Sequence, residues 1–352
     1  MKLTIQRAGL VRVLTNVGKV IESRTTIPIL GNVLLSAADG RLQVTGTDLD
    51  IVATDVAAAT VETPGTVCVD AKLLADISKK AGGDVSISLD DRQLLVTSGR
   101  SRFKLGTLPA ADFPDLKGGK FDAEFEIDLA ALFAPVAFAM STEETRYYLN
   151  GVFLHVHDGA AVAVSTDGHR LSRHTGPAVP AFTGVIVPRK AVGLLPKGVV
   201  SVSVSESKIR ISAGDFILTS KLIDGTFPDY QRVIPTANDK IVTFGSDDMR
   251  QAAGRVAAVS SERGKAVRLS FADGVGKLDV SNPERGSASD EIVVSYDGDK
   301  IDIGFNSQYL TELVGIFPAG DIKLALADSG SPAVFTSEKV DGLLAVLMPV
   351  RI

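Results

Sequence analysis

Hydrophobic and polar residues alternate over positions 1–6 and then change period. Leu10, Val13, Leu14, Val17, Val20 and Ile21 recur at helical spacing. The other face of that segment carries Arg7, Arg12 and Lys19, with Thr15 and Asn16 between them, and no acid occurs before Glu22. Alternation returns at 32–36, 42–46 and 51–61, with Ala38-Asp39-Gly40 as a hairpin turn. A helix from 70 to about 80 follows, bearing Lys72, Lys79 and Lys80, and then strands at 85–89, 94–98 and 102–107. A linker at 116–122, centred on Lys117-Gly118-Gly119-Lys120, precedes a second round. That round has a helix from Asp128 to about 140, strands at 151–155 and 161–165, and a helix from 188 to about 195 bearing Arg189 and Lys190. A linker near 235–240 leads to a strand at 241–244, a helix opening at Asp247-Asp248, a helix at 307–317 and a closing strand at 343–348.

The pattern repeats. The stretch 215–230, DFILTSKLIDGTFPDY, has a twin at 102–116. Phe103 answers Phe216 at an offset of 113, and Phe113-Pro114-Asp115 answers Phe227-Pro228-Asp229 at 114. Each copy runs from an apolar strand through a small-residue turn to a proline that ends pairing. A fainter echo places Val69, Val187 and Phe305 at offsets of 118, each ending a strand just before a helix. Three units of about 117 residues each account for the chain.

Composition supports a large globular core: 352 residues, 45% hydrophobic, 22% charged and no tryptophan. The lone Cys68 permits no intrachain disulfide, which suits a reducing cytosol, and reads as a small core hydrophobe. The N-terminus lacks the apolar run of a signal peptide, and the longest apolar run, 132–140, contains Pro135 and is too short to span a bilayer. The net charge of −5 argues against a surface that is basic all over. The predicted helices are nonetheless biased. Arg7, Arg12, Lys19, Lys72, Lys79, Lys80, Arg189, Lys190, Lys197, Arg250 and Arg255 lie on or beside them, while Asp70, Asp128, Asp247 and Asp248 sit at helix starts, where the macrodipole favours acids. Solvated faces and a single polyanion-facing surface are both consistent with that bias.

The most enzyme-like string is Ser165-Thr166-Asp167-Gly168-His169-Arg170-Leu171. A nucleophile, base and orienting acid normally come from separate elements, because adjacent side chains point apart, and a turn explains Asp-Gly more simply. His155, His157, His169 and His174 have no thiolate or acidic cluster to complete a metal site, and no phosphate-binding glycine loop follows a strand. Neither a catalytic residue, a metal nor a cofactor is expected.

Several strings together resemble the bacterial sliding clamp family, the beta subunit of DNA polymerase III. They are Ile27-Pro28-Ile29-Leu30-Gly31-Asn32, Thr45-Gly46-Thr47-Asp48-Leu49, Ser98-Gly99-Arg100-Ser101-Arg102-Phe103, 108–114, Arg146-Tyr147-Tyr148-Leu149-Asn150-Gly151, 166–171, 215–230 and Met348-Pro349-Val350-Arg351-Ile352. The resemblance spans the chain. It implies an α+β fold of three tandem DNA-clamp domains, 1–120, 121–240 and 241–352, with helices lining a central pore and antiparallel sheets outside. Two chains would close head to tail as a ring-shaped homodimer. The implied function is a DNA sliding clamp without chemistry of its own, a cytoplasmic processivity factor that encircles duplex DNA without sequence specificity. Implied partners are the replicative polymerase alpha subunit, clamp-loader subunits, other polymerases and repair proteins, engaged through short linear motifs, and no membrane. A triplicated α+β enzyme is the competing class; retention on circular but not linear DNA separates the two.

The resemblance also carries residues. It implies a partner-peptide groove at Leu149, Thr166, Gly168, His169, Arg170, Leu171, Pro228, Arg232 and Val233. Asn306, Tyr309, Val346, Met348, Pro349, Val350 and Arg351 complete that groove. Arg24, Tyr147 and Tyr148 are implied to touch DNA. Leu73, Arg100 and Arg102 are implied to meet Val259, Glu284 and Asp290 of a second copy, with Arg100 and Arg102 alternating on one edge strand. The chain departs from the family pattern at Thr142-Glu143-Glu144, where two acids stand near the DNA contacts, and at Ser287, where relatives can carry an acid. Gly264, Gly330 and Pro332 stand where relatives can carry other side chains near the groove.

Overall fold

The computed structural model describes residues 1–22, 24–114, 119–260 and 266–352. The chain forms two compact units, Met1–Asp128 with Gly193–Leu222, and Leu129–Val192 with Ile223–Ile352. Every described strand pairing is antiparallel.

In the first unit, Lys2–Ile5 is a strand, as the opening alternation predicts, and it pairs with Val85–Asp90 and Thr60–Thr63. The helix Arg7–Gly18 buries Leu10, Val13, Leu14 and Val17, one stripe of a 3.6-residue period. Each such side chain stabilises the fold by about 1.5–3 kcal/mol. The hairpin Asn32–Ala38 to Arg41–Thr47 turns at Asp39 and Gly40, both at positive φ. The strand expected over 51–61 is two strands, Ile51–Ala58 and Thr60–Thr63, because Ala59 N–H donates to Gly40 O and the chain then crosses to Lys2–Ile5. Asp70 caps the helix Ala71–Lys80 by accepting from Leu73 N–H at 2.7 Å. Cys68 is fully buried, and burial pushes its thiol up to about 11, which makes it inert. The sheet continues from Ile51–Ala58 into Phe216–Lys221, Lys208–Ala213, Val200–Val204 and Ala123–Ile127.

In the second unit the helix predicted from Asp128 to about 140 is only Leu129–Phe133 followed by a 3-10 turn, Ala137–Ala139. Pro135 lacks a donor and clashes with the preceding turn, so the helix stops. The helix predicted from 188 to about 195 is Arg189–Val192, cut short before Gly193 and Pro196. The helices Ser246–Val256 and Ser307–Val314 pack on a core that includes Met249, Ala252, Ala253, Leu310, Leu313 and Val314. The strand Arg170–Ala178 pairs with Leu343–Leu347, so the closing strand joins the same sheet as the 160s hairpin.

The fainter repeat is structural. Gly65–Asp70, Val185–Pro188 and Ile301–Asn306 each run directly into a helix. The twin strands are Ser101–Leu108 and Phe216–Lys221. Asp115, 116–118 of the first linker, and Gly264 lie outside the described residues.

Candidate partner-binding groove and nucleic-acid surface

The string that looked most like a catalytic centre is a turn joining Ala160–Thr166 to Arg170–Ala178. Thr166 Oγ1 donates to Arg170 O at 2.7 Å and accepts from Gly168 N–H at 3.1 Å. Asp167 Oδ1 accepts from the N–H groups of His169 and Arg170 at 2.9 and 3.0 Å. Hydroxyl and carboxylate are thus both bonded to backbone, as Asx and Thr turns require. Gly168 sits at φ +88°, and a Cβ there would lie 2.7 Å from Arg146 Nη1.

The same turn occurs at Thr47-Asp48-Leu49-Asp50-Ile51. Thr47 Oγ1 donates to Ile51 O at 2.8 Å and accepts from Leu49 N–H at 2.9 Å, while Asp48 Oδ1 accepts from Asp50 and Ile51. Both turns hold the end of a neighbouring strand: Lys221 N–H donates to Asp50 O, and Met348 N–H to His169 O, each at 2.8 Å. The Thr-Asp pairs at 47–48 and 166–167 are the signal of this repeat in the sequence.

Three of the implied groove residues belong to one apolar cluster. Leu149, Leu171 and Val346 are buried together with Val162, Val164, Ile186, Phe227 and Tyr230. Thr166 is also buried, while Gly168, His169, Pro228, Arg232, Val233, Met348 and Val350 are exposed. Pro349 is half-buried and Arg351 exposed. The segment Tyr230–Val233 is fixed from below. Tyr230 Oη meets His155 Nε2 at 2.9 Å, and Phe153 stacks on both His155 and Phe227 at 4.8 Å. Burial pushes the His155 pKa down and the Tyr230 pKa up, so both stay neutral near pH 7. Arg232 pairs with Asp229 at 2.7 Å on the surface. Pro332 precedes Ala333–Thr336, whose Val334 joins the cluster, and its carbonyl accepts from Asn238; Gly330 N–H donates to Asp328.

Two implied groove residues are used differently. Asn306 Oδ1 caps the helix Ser307–Val314 by accepting from Gln308 and Tyr309 N–H, so that oxygen is committed to backbone. Arg170 is nearly enclosed, with its guanidinium bound to Asp167 and Glu312 and its Cζ 4.3 Å from the Tyr309 ring centroid.

The chain's last residues have a seat that sequence reasoning missed. Val350 N–H donates to Gly304 O at 2.8 Å, and a Cβ on Gly304 would lie 2.6 Å from Val350 O and 2.2 Å from Ile352 Cγ2. The contact with a backbone oxygen cannot be relieved by a rotamer change. Gly304→Ala is expected to lift the tail off its strand and to weaken capture of a motif peptide several-fold, with little loss of global stability. Peptide anisotropy beside a thermal melt checks this, and unchanged affinity would mean that the tail's seat does not shape the groove.

The basic helix faces are only partly free. Arg7 donates to Ser78 O and Lys79 O, Arg12 grips Asp55, and Arg189 donates to Met140 O and Ser141 O. Arg250 pairs with Asp247, and Arg255 with Asp290. Of the two readings left open for the eleven basic groups, one surface that offers all of them to a polyanion is narrowed, because these arginines bind their own chain. Lys19, Arg24, Lys72 and Lys79 still line a cleft of about 980 Å³ in the first unit, with Glu22, Asp70 and Asp76 among them. In the second unit Tyr147 is exposed, and its ring meets Tyr148 edge-on at 5.8 Å. Glu143, one of the two unexpected acids, is bound by Arg146 through Nε and Nη2 at 2.9 and 2.8 Å.

At the implied contact between copies, Leu73 is exposed and Val259 half-buried. Arg102 lies on Ser101–Leu108, but Arg100 does not alternate with it on the strand. It sits with Gly99 in the two-residue turn closed by the Ser98–Ser101 pair. Asp290 is held by Arg255 at 2.6 Å, which keeps its carboxyl below the usual range, and Glu284 lies in a turn where its N–H donates to Asn282.

Family models match almost the whole chain: the DNA polymerase III beta subunit N-terminal domain over 1–117, the central domain over 126–229 and the C-terminal domain over 231–351. The chain belongs to the DNA polymerase III beta subunit family. It is similar to the beta sliding clamp of Caulobacter vibrioides, 42% identical over 372 aligned positions covering all of both chains. The crystal structure of a DnaN sliding clamp from Bartonella birtlesii bound to griselimycin superposes with a TM-score of 0.96 at 40% identity, and that of Caulobacter crescentus pol III beta with 0.95 at 42%, each covering both chains fully. The fold is the three-domain clamp fold, and the protein is a DNA sliding clamp, a non-catalytic processivity subunit. The central family domain is divided between the two compact units, because its strands continue the sheets of both neighbours. No helix among the described residues is long and apolar enough to cross a membrane, and no described cluster of three or more His, Cys, Asp or Glu side chains could hold a metal.

Proposed function

We propose that two copies of this chain, each divided at about 120 and 240, close head to tail into a ring around duplex DNA in the cytoplasm. The observation that carries this reading is a pair of open strand edges. Among the described residues, Ser101–Leu108 is unpaired on one side over 101–106, and Gly286–Ser295 over 286–293. An open edge is a template for a second chain. Exposed Phe103 lies on the first edge, and half-buried Val259 lies on a turn packed against the second; with exposed Leu73, these supply apolar contact for most of the closure. Exposed ion pairs add at most about 1 kcal/mol each. Lys19, Arg24, Lys72 and Lys79 make phosphate contacts that position without reading sequence, and Tyr147 and Tyr148 offer stacking faces.

The apolar cluster capped by Met348 and Val350 takes short linear motifs, a glutamine followed by leucine and an aromatic, from the replicative polymerase alpha subunit, clamp-loader subunits, other polymerases and repair proteins. An apolar floor with a few polar groups on its rim suits such a segment, and methionine lets one site accept several. Loading onto nicked circular DNA tests the ring. The protein should stay on the circle through gel filtration and leave once the circle is cut. Arg100→Glu with Arg102→Glu should shift it toward monomer in sedimentation at nanomolar concentration and abolish retention. A variant that stays dimeric there would move the interface elsewhere.

A further inference from the structure

We propose that Arg170 is a positioning residue: rather than touching a bound motif, its guanidinium locks the 166–170 turn onto the helix Ser307–Val314 and so fixes the rim of the groove. The inference rests on the groove reading above. Arg170 Nε donates to Asp167 Oδ2 at 3.0 Å, and Nη1 to Glu312 Oε2. The rings of Phe138 and Tyr309 lie 5.0 and 4.3 Å from its Cζ, and the side chain is 9% exposed. A charge this enclosed persists only when its partners satisfy it, and here two carboxylates and two ring faces do so.

The sibling turn is an internal control. At 47–51 the same backbone hydrogen bonds form with Ile51, 2% exposed, in the place of Arg170. The turn therefore needs no arginine. What Arg170 adds is a link to Tyr309 and Glu312. That link joins the two elements that hold the tail. Met348 N–H is held by His169 O on the turn, and Val350 N–H by Gly304 O on Ile301–Asn306, the strand that leads into the helix carrying Tyr309 and Glu312. The His169 ring centroid lies 6.1 Å from that of Tyr309. Joining turn to helix sets the spacing of the tail's two anchors, and with it the placement of Met348 and Val350.

The test uses the full-length protein, a fluorescein-labelled peptide bearing glutamine, leucine and an aromatic, and the ¹³C-methyl NMR signal of Met348. Glu312→Ala is expected to weaken peptide binding about five-fold through faster dissociation, as coupled neighbours do, and to shift or broaden the Met348 methyl signal. Glu312→Gln, which can still accept from Arg170, should recover most of both. Adding Glu312→Ala to Arg170→Met should cost no further affinity. If Arg170→Met weakens binding while Glu312→Ala leaves affinity and the Met348 signal unchanged, Arg170 touches the peptide and the inference fails. Should Arg170→Met not fold, the Glu312 pair still decides. If the unmodified protein binds no peptide yet its Met348 signal responds to Glu312→Ala, the latch stands and the groove reading falls.

Discussion

Removing residues 348–352 is expected to abolish capture of a motif peptide while leaving a dimer that still encloses DNA. The closing strand Leu343–Leu347 is paired on both sides, with Arg170–Ala178 and with Ala333–Thr336, so truncation after Leu347 leaves the sheet intact. What goes is the exposed rim: Met348 at 42% exposure, Val350 at 37%, and the bonds to His169 O and Gly304 O that hold them. Central apolar anchors dominate such interfaces, and losing two at about 1.4 kcal/mol each reduces affinity about 100-fold. Fluorescence anisotropy with the labelled peptide measures this directly, beside sedimentation for the dimer. Equal binding by the truncated and intact proteins would remove the tail from the site.

Arg12→Ala is expected to destabilise the first unit by about 3 kcal/mol, the cost of leaving a buried carboxylate without its cation. Asp55 is 0% exposed, and Arg12 Nη1 reaches both of its oxygens at 2.9 Å. Asn16 Nδ2 and Val56 N–H remain as partners at 2.7 and 2.8 Å, but neither carries charge. The opposite change is milder. In Asp55→Ala the half-exposed Arg12 can turn its guanidinium to water, so the loss should be clearly smaller than for Arg12→Ala. Thermal and urea unfolding of both variants check the asymmetry. Equal losses, or an Arg12→Ala melt unchanged from the parent, would show that water reaches Asp55 in the folded state.

Local patterns were legible because they are read over a few residues. The helix Arg7–Gly18 follows from its apolar stripe, the turn at Asp39-Gly40 from residues that tolerate positive φ, and the cap of Ala71–Lys80 from Asp70. Proline chemistry was present but underweighted: Pro135 ends a helix that periodicity alone would extend to 140. The repeat of strand into helix at Gly65–Asp70, Val185–Pro188 and Ile301–Asn306 was visible in residue spacing, while the proposed groove residues came only from the full-length resemblance. Partner choice was not legible. Alternation assigns a side chain to a face but does not name the strand that pairs with it, since backbone ladders are alike. Nothing near Arg12 in sequence points to Asp55, nor near Arg255 to Asp290, so two of the basic groups in that charge pattern proved to belong to internal ion pairs. Arg170 likewise belongs to Asp167 locally and to Glu312 only through folding. The sequence by itself determined most of the elements and the Asp70 cap, because these depend on neighbours within a turn or two, and showed the threefold repeat as a recurrence of the same local patterns. Tertiary structure alone decided which charges face solvent and where the chain's last residues come to rest, because those contacts join segments that only the packed sheets bring together.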